Sequence, residues 1–393
     1  MKTSSSAGLY LGSQTNDPYS VDRRSSNSLT DAATRLFLLC FVGIIVGEWF
    51  YDTAFYYLDN PWTLDYFADR LTTLSLSFSQ AVSLVEKTVK EHIDRLADKD
   101  QPVKYSGLVG LADLTPEMVE NLSAMWPTIR DERRLEIAAK LIELSEENLE
   151  LDFTEILHMF LRDQNAAVRE LAVQGLWESN DRRSIRPLVD LLKKDTSAKV
   201  RAAAGLTLRR FGNLAQSGNL IARDVNRIRD ALIFVIGRPR EDIEVRRRAI
   251  EAVSSFDFPE LDDIILDAYR SGDPILVQSA IFAMGQSSQA KWMPTVLAEI
   301  EGDNPAVRYE AAIAVGLLGE QSDVPDIIRL LDDEDYEVQT AAVRSLGIIG
   351  GNLAKQALLQ CRQSDDEVIQ DAAIEALELL EFDEDPLGFK FPT

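Results

Sequence analysis

Asn304–Glu320 reads NPAVRYEAAIAVGLLGE, and Asp335–Gly351 reads DYEVQTAAVRSLGIIGG. Set 31 residues apart, the two stretches share one chemistry: a residue able to cap a helix, then Val307, Ala311 and Val315 in the first and Val338, Ala342 and Leu346 in the second. Apolar side chains at four-residue steps lie along one face of a helix. Asn304 and Asp335 can accept a hydrogen bond from the unpaired N–H groups that open such a helix. Pro305 follows its cap directly, at the first helical position, where a missing N–H does no harm.

The same signal recurs through most of the chain. Caps at Asp100, Asp131, Asn165, Ser197, Asp242, Asp273, Asn304, Asp335 and Asp365 precede openings at Val103, Arg134, Val168, Val200, Val245, Leu276, Val307, Val338 and Val368. The spacings are 31, 34, 32, 45, 31, 31, 31 and 30 residues. One helix start per period of about 31 predicts an array of stacked helical hairpins. Within a unit, a first helix such as Val324–Leu331 ends in an acidic turn, and the capped second helix buries its Val, Ala and Leu face. Gly319 and Gly350 are expected to end second helices in the left-handed conformation. The long 45-residue spacing holds Gly212–Gly218, read as a loop, and a lengthened first helix around Arg227–Ile236. The 213–226 insertion is either a binding loop or a longer connection without a role.

The composition fits a well-buried chain, with 46% hydrophobic and 27% charged residues. A formal charge of −24 argues against wholesale binding of nucleic acid, which needs clustered Lys and Arg. Charge is unevenly spread. Lys199–Arg248 carries twelve bases against five acids, whereas Glu301–Thr393 carries twenty-one acids against six bases. The array should therefore have a basic middle and an acidic C-terminal end. Cys40 and Cys361 lie far apart, which fits a reducing compartment without a disulfide framework, and a cytoplasmic location is expected.

Residues 1–30 are polar, lack an apolar period and read as a disordered leader. In residues 31–63, Leu36–Gly47 is LFLLCFVGIIVG, followed by the aromatic residues Trp49, Phe50, Tyr51, Tyr56 and Tyr57. Twelve helical residues span about 18 Å, short of a hydrocarbon core of about 30 Å. Extension to Leu58 brings in Glu48 and Asp52. The segment reads as a buried or partner-covered helix, as a membrane-associated anchor at an inner face through residues 36–58, or as a signal peptide. Residues 64–99 form an amphipathic cap, residues 100–380 the repeat array, and residues 381–393 a tail that loses the period.

The runs quoted at the outset resemble the short HEAT repeats named after phycobilisome lyases, and the resemblance covers roughly residues 100–380. It implies an all-α fold, a right-handed α-solenoid of about nine HEAT-like hairpins with the second helices on the concave side. The deoxyhypusine hydroxylases built from similar repeats hold two irons with several His-Glu pairs. Here Glu91-His92 is the one such pair, and His158 follows Leu157, so that site does not carry over. No catalytic residue, metal or cofactor is expected.

The bases after the openings, Lys104, Arg169, Arg201, Arg246 and Arg308, form a ladder with one rung per unit. They are expected to pair with acidic turn residues such as Asp163, Asp195 or Asp303 of adjoining units. Less regular positions single out a candidate protein-binding strip along the second helices: Trp177, Arg209, Arg210, Arg247, Phe282, Tyr309 and Ile313. Exposed aromatics beside Arg are what interface hot spots favour. The expected function is a non-enzymatic scaffold holding a protein partner along the concave face. The alternative is a lyase-type auxiliary enzyme or chaperone acting on a protein-bound chromophore or cofactor.

Overall fold

The computed structural model describes residues 95–98 and 101–384, with side chains to Phe382, all within one compact unit of the chain. The leader, the 36–58 segment, His92, Cys40, Asp100 and most of the 64–99 cap lie outside the described residues. Among the described residues every regular element is helical.

A one-turn helix α1 (Tyr105–Leu108) leads into eight helix pairs. They are α2 (Pro116–Met125) with α3 (Asp131–Glu147), α4 (Thr154–Phe160) with α5 (Ala166–Gly175), and α6 (Ile185–Lys194) with α7 (Ala198–Gln216). Next come α8 (Ala222–Ile236) with α9 (Ile243–Val253), and α10 (Leu261–Arg270) with α11 (Pro274–Gln286). The array closes with α12 (Met293–Glu299) and α13 (Pro305–Leu318), α14 (Val324–Arg329) and α15 (Tyr336–Ile349), and α16 (Gly351–Cys361) and α17 (Glu367–Glu384). Each second helix, from α3 through to α17, packs on the next, and first helices such as α6 on α8 and α14 on α16 form the other layer. The result is a helical-hairpin solenoid.

The caps explain where the second helices begin. Asn165, Asp242, Asp273, Asn304 and Asp335 each accept from a backbone N–H two residues on. Ser197 holds the cap position without such a bond, and Asp195 instead accepts from the Ser197 N–H. Two expected caps shift by one residue. Asp131 is the first residue of α3, and Arg130 stands before it. At the last unit Asp366, not Asp365, accepts from Val368 N–H, so Ile369 is the buried opening and Val368 is exposed. Val103 opens no helix. Its unit is reduced to α1, while the Thr115 cap of α2 went unread.

Two further expectations fail, the first for a packing reason. Residues 198–216 form one continuous helix, so Gly212 lies inside α7 rather than in a loop. A Cβ there would meet Ser255 Cβ at 2.3 Å, so the close approach of the turn after α9 demands glycine. Gly319 is extended (φ −79°), whereas Gly350 takes the left-handed conformation (φ 71°). The tail also starts later than expected, since α17 continues to Glu384.

Neighbouring second helices meet through small residues. A Cβ added to Gly285, Gly316 or Gly347 would lie 2.9, 2.7 or 2.8 Å from Ala314, Ser345 or Ala376 of the next unit. Buried hydroxyls cross the same seam, Thr207 Oγ1 donating to Val173 O at 3.1 Å and Ser345 Oγ to Ala312 O at 2.8 Å. Gly316→Ala should gain about 1 kcal/mol of helix propensity but lose about 1–3 to overpacking. A net loss of about 1 kcal/mol in urea denaturation is expected; a gain would mean the seam is looser than drawn.

The arginine ladder supplies the second kind of stitching. Arg169 Nε and Nη2 grip Asp195 at 2.7 and 2.8 Å, and Arg308 grips Asp333 at 2.8 and 2.7 Å. Arg201 reaches Glu241 at 2.6 Å, and Arg134 reaches Asp163 at 2.9 Å. Each of these arginines also donates through Nη1 to a carbonyl of its own turn. The shared bonds leave their mark on the acids. Arg308 beside Asp333 holds that carboxyl below the usual carboxylate range. Burial would push Asp195 and Glu241 upward, but their arginines outweigh it and hold both low.

Candidate functional site

The side chains left over from stitching gather on the exposed face of the second-helix layer. Four consecutive second helices, α7, α9, α11 and α13, contribute. The Arg209 guanidinium of α7 reaches beyond α9 and lies over the Phe282 ring of α11, 5.2 Å from its centroid. A cation over an aromatic face is attracted by the ring quadrupole, and a half-buried pair keeps that attraction from water. Arg247 of α9 bonds Glu244 at 2.9 Å and reaches Glu251 at 3.4 Å. Glu251 is buried and accepts from Ser279 Oγ of α11 at 3.2 Å. One unit on, Gln278 Nε2 donates to Glu310 Oε1 at 3.2 Å.

Glu310 is the unusual member. Burial pushes its carboxyl up to about 7, reinforced by the charge of Glu251 and opposed by the Gln278 bond, Arg247 and Arg209. Tyr309 and Ile313, both half-buried, sit on α13 one residue before and three residues after it. Helical spacing places Ile313 on the Glu310 side of α13.

The structure thus joins Arg209, Arg247 and Phe282, but it does not assemble the whole expected strip. Arg210 turns the other way and donates to Asn180 Oδ1 at 3.2 Å, in the turn after α5. Trp177 stands at the exit of α5, 57% exposed and without a stacking or cation–π partner among the described residues. Gln278, Glu251 and Glu310 were missed. A carboxylate in the otherwise apolar run EAAIAV was the available signal for Glu310.

The basic middle is less basic at its surface than its sequence suggests. Arg201 and Arg238 share Glu241, Arg247 and Arg248 share Glu244 and Glu251, and Arg227 and Arg229 pair with Asp224 and Asp230. Much of the excess charge is paired, mostly within single helices and turns, with Arg201–Glu241 crossing between units. Arg209 is the cation of this face that is committed to an aromatic ring rather than a carboxylate.

Among the described residues no three His, Cys, Asp or Glu side chains converge. His158 shares a 2.7 Å hydrogen bond with Ser184 Oγ, and burial pushes its pKa down. No helix among the described residues is long and apolar enough to cross a membrane.

A family model described as HEAT repeats matches residues 154–232 and 293–378. No curated protein matches the chain. Among solved structures, the chain is similar to the complex of CpcE and CpcF of phycocyanin lyase from Nostoc sp. PCC7120, at 18% identity over 58% of this chain and 93% of that one, with a TM-score of 0.41. Human deoxyhypusine hydroxylase is similar at 18% identity over 76% and 98%, TM-score 0.31. A Kap95p complex with RanGDP is similar at 12% identity over 79% and 49%, TM-score 0.44. Such distant likeness transfers no chemistry.

Proposed function

The chain is a HEAT-repeat protein, and on that footing we propose that it is a non-enzymatic scaffold holding an extended protein segment across α7, α9, α11 and α13. The observation that carries this reading is the Arg209–Phe282 pair, two units apart, with Arg209 in no ion pair among the described residues. The ladder arginines Arg169, Arg201 and Arg308 are instead consumed by inter-repeat bonds. This one presents an aromatic face and a guanidinium edge, a combination suited to an acidic or aromatic side chain of a partner. Tyr309 and Ile313 extend the surface with half-buried apolar area, while Trp177 lies further along the layer.

The test separates binding from folding. Arg209→Ala with Phe282→Ala should reduce capture of a proximity-labelled partner by about tenfold or more, as truncation of hot-spot residues does. Thermal stability should change little, because neither residue belongs to a rung or to the small-residue seam. Arg247 is a poor choice for such a test, since its loss strips buried Glu251 of a partner. Undiminished capture by the double variant would remove this face from consideration.

A further inference from the structure

Along the ladder, a rung arginine is matched by an acid shortly before the next cap. Arg134, Arg169, Arg201 and Arg308 each meet an acid in the following turn. Val277 and Gln339 stand at rung positions without a base, and at the place corresponding to Asp195 and Asp333, two residues before the next cap, their turns carry Gly302 and Ser364. Arg246 breaks this rule. It occupies the rung position after Val245, yet the turn it faces reads Ser271-Gly272, and Ser271 Oγ is already bonded to Ala268 O at 2.6 Å.

The consequence is a guanidinium without a counterpart. Arg246 Nε is buried and has no hydrogen-bond partner, and the side chain is in no ion pair among the described residues. It lines a cavity of about 360 Å³ whose walls are Ile233, Ile236, Ile250 and Ile264. That volume falls in the range of small-ligand sites, about 300–1,000 Å³. Arg238, also at the cavity, is held by Glu241 and by Lys193 O. Asp267, an exposed side chain in no ion pair among the described residues, is the one carboxylate lining the space.

We propose that this cavity between α8, α9 and α10 binds a small aliphatic carboxylate, whose head group completes the Arg246 rung and whose apolar tail lies against the four isoleucines. The other rungs supply the geometry: two parallel N–H···O bonds from Nε and Nη2, as Arg169 makes to Asp195 and Arg308 to Asp333. An unpaired buried donor makes the pocket hungry for an acceptor, and the walls select for hydrocarbon. The inference stands apart from the second-helix face and survives its failure.

The full-length protein is titrated with 4-methylpentanoate, with its uncharged amide, and with a short peptide ending in leucine. Saturable binding of the acid and none of the amide is expected, and Arg246→Gln should weaken the acid by about tenfold or more. Ser271→Asp should supply the missing carboxylate from within, abolishing binding and raising the thermal midpoint. This variant keeps the question open to refutation should Arg246→Gln fail to fold. Retention of binding by Ser271→Asp, equal binding of acid and amide, or binding of the peptide alone would overturn the proposal.

Discussion

Asp163→Ala is expected to cost about 3–5 kcal/mol, the largest effect of any single rung, because it strips a buried cation of its buried carboxylate and leaves it the exposed Asp131 and the Ile129 carbonyl. Four donors converge on this carboxylate. Trp126 Nε1 lies at 2.5 Å, Arg134 Nε at 2.9 Å and Nη2 at 3.2 Å, and the Asn165 backbone N–H at 2.7 Å. The Asp163 and Arg134 side chains are 1% and 4% exposed, so neither can turn to water when the other is removed. Trp126 in turn stacks on Phe160 with centroids 4.5 Å apart, which fixes its indole N–H towards Asp163. At the opposite end of the array, Asp333→Ala removes the same kind of rung from Arg308, whose side chain is 14% exposed and keeps its bond to Gly302 O. That loss should be nearer 1–2 kcal/mol, roughly the value of a charged hydrogen bond partly replaced by water. In a solenoid each unit contacts only its neighbours, so Asp163→Ala should also split urea denaturation into two phases, with the α2–α5 end melting first. A loss below about 1 kcal/mol would show that this rung is solvated in solution.

The period was legible because it has a local cause at both ends of each unit. A cap must precede a helix, and an Ala or Val face must follow it, whatever surrounds them. Asn165, Asp242, Asp273, Asn304 and Asp335 could therefore be read directly. What failed depends on neighbours in space. Asp365 and Asp366 are indistinguishable as caps, and only the burial of Ile369 against α15 decides between them. Gly212 and Asn213 favour a break by propensity, yet Ser255 needs the room that glycine leaves, and packing wins. Within the site, Arg209 and Phe282 share a surface because two units of helix rise bring them there, which repeat offsets can anticipate. The state of Glu310 cannot be read this way. Its charge is unfavourable because α11 and α13 together exclude water, and no residue of its own helix announces that.

Glu310→Gln is expected to remove a pH dependence that the parent protein displays between about pH 5 and 7. The folded carboxyl titrates near 7, above the ordinary 4.5, so between these values the native state holds a proton that the unfolded chain has released. Stability then falls as pH rises through this window: the contribution is whole below the unfolded value and gone above the folded one. The depressed acids Asp195, Glu241 and Asp333 act in the opposite sense and lower, losing their contribution as pH falls through their folded values. The two groups therefore do not mask one another near neutrality. A shift of this size corresponds to about 3–4 kcal/mol of destabilisation by the ionised form at pH 8. Glutamine keeps an acceptor for Gln278 Nε2 and abolishes the charge, so the variant should be more stable at pH 8 by about that amount and little changed at pH 5. Denaturation at the two pH values measures the difference. An identical pH slope in parent and variant would mean that Glu251, Arg247 and Arg209 already balance the Glu310 charge, and that the second-helix face carries no uncompensated anion.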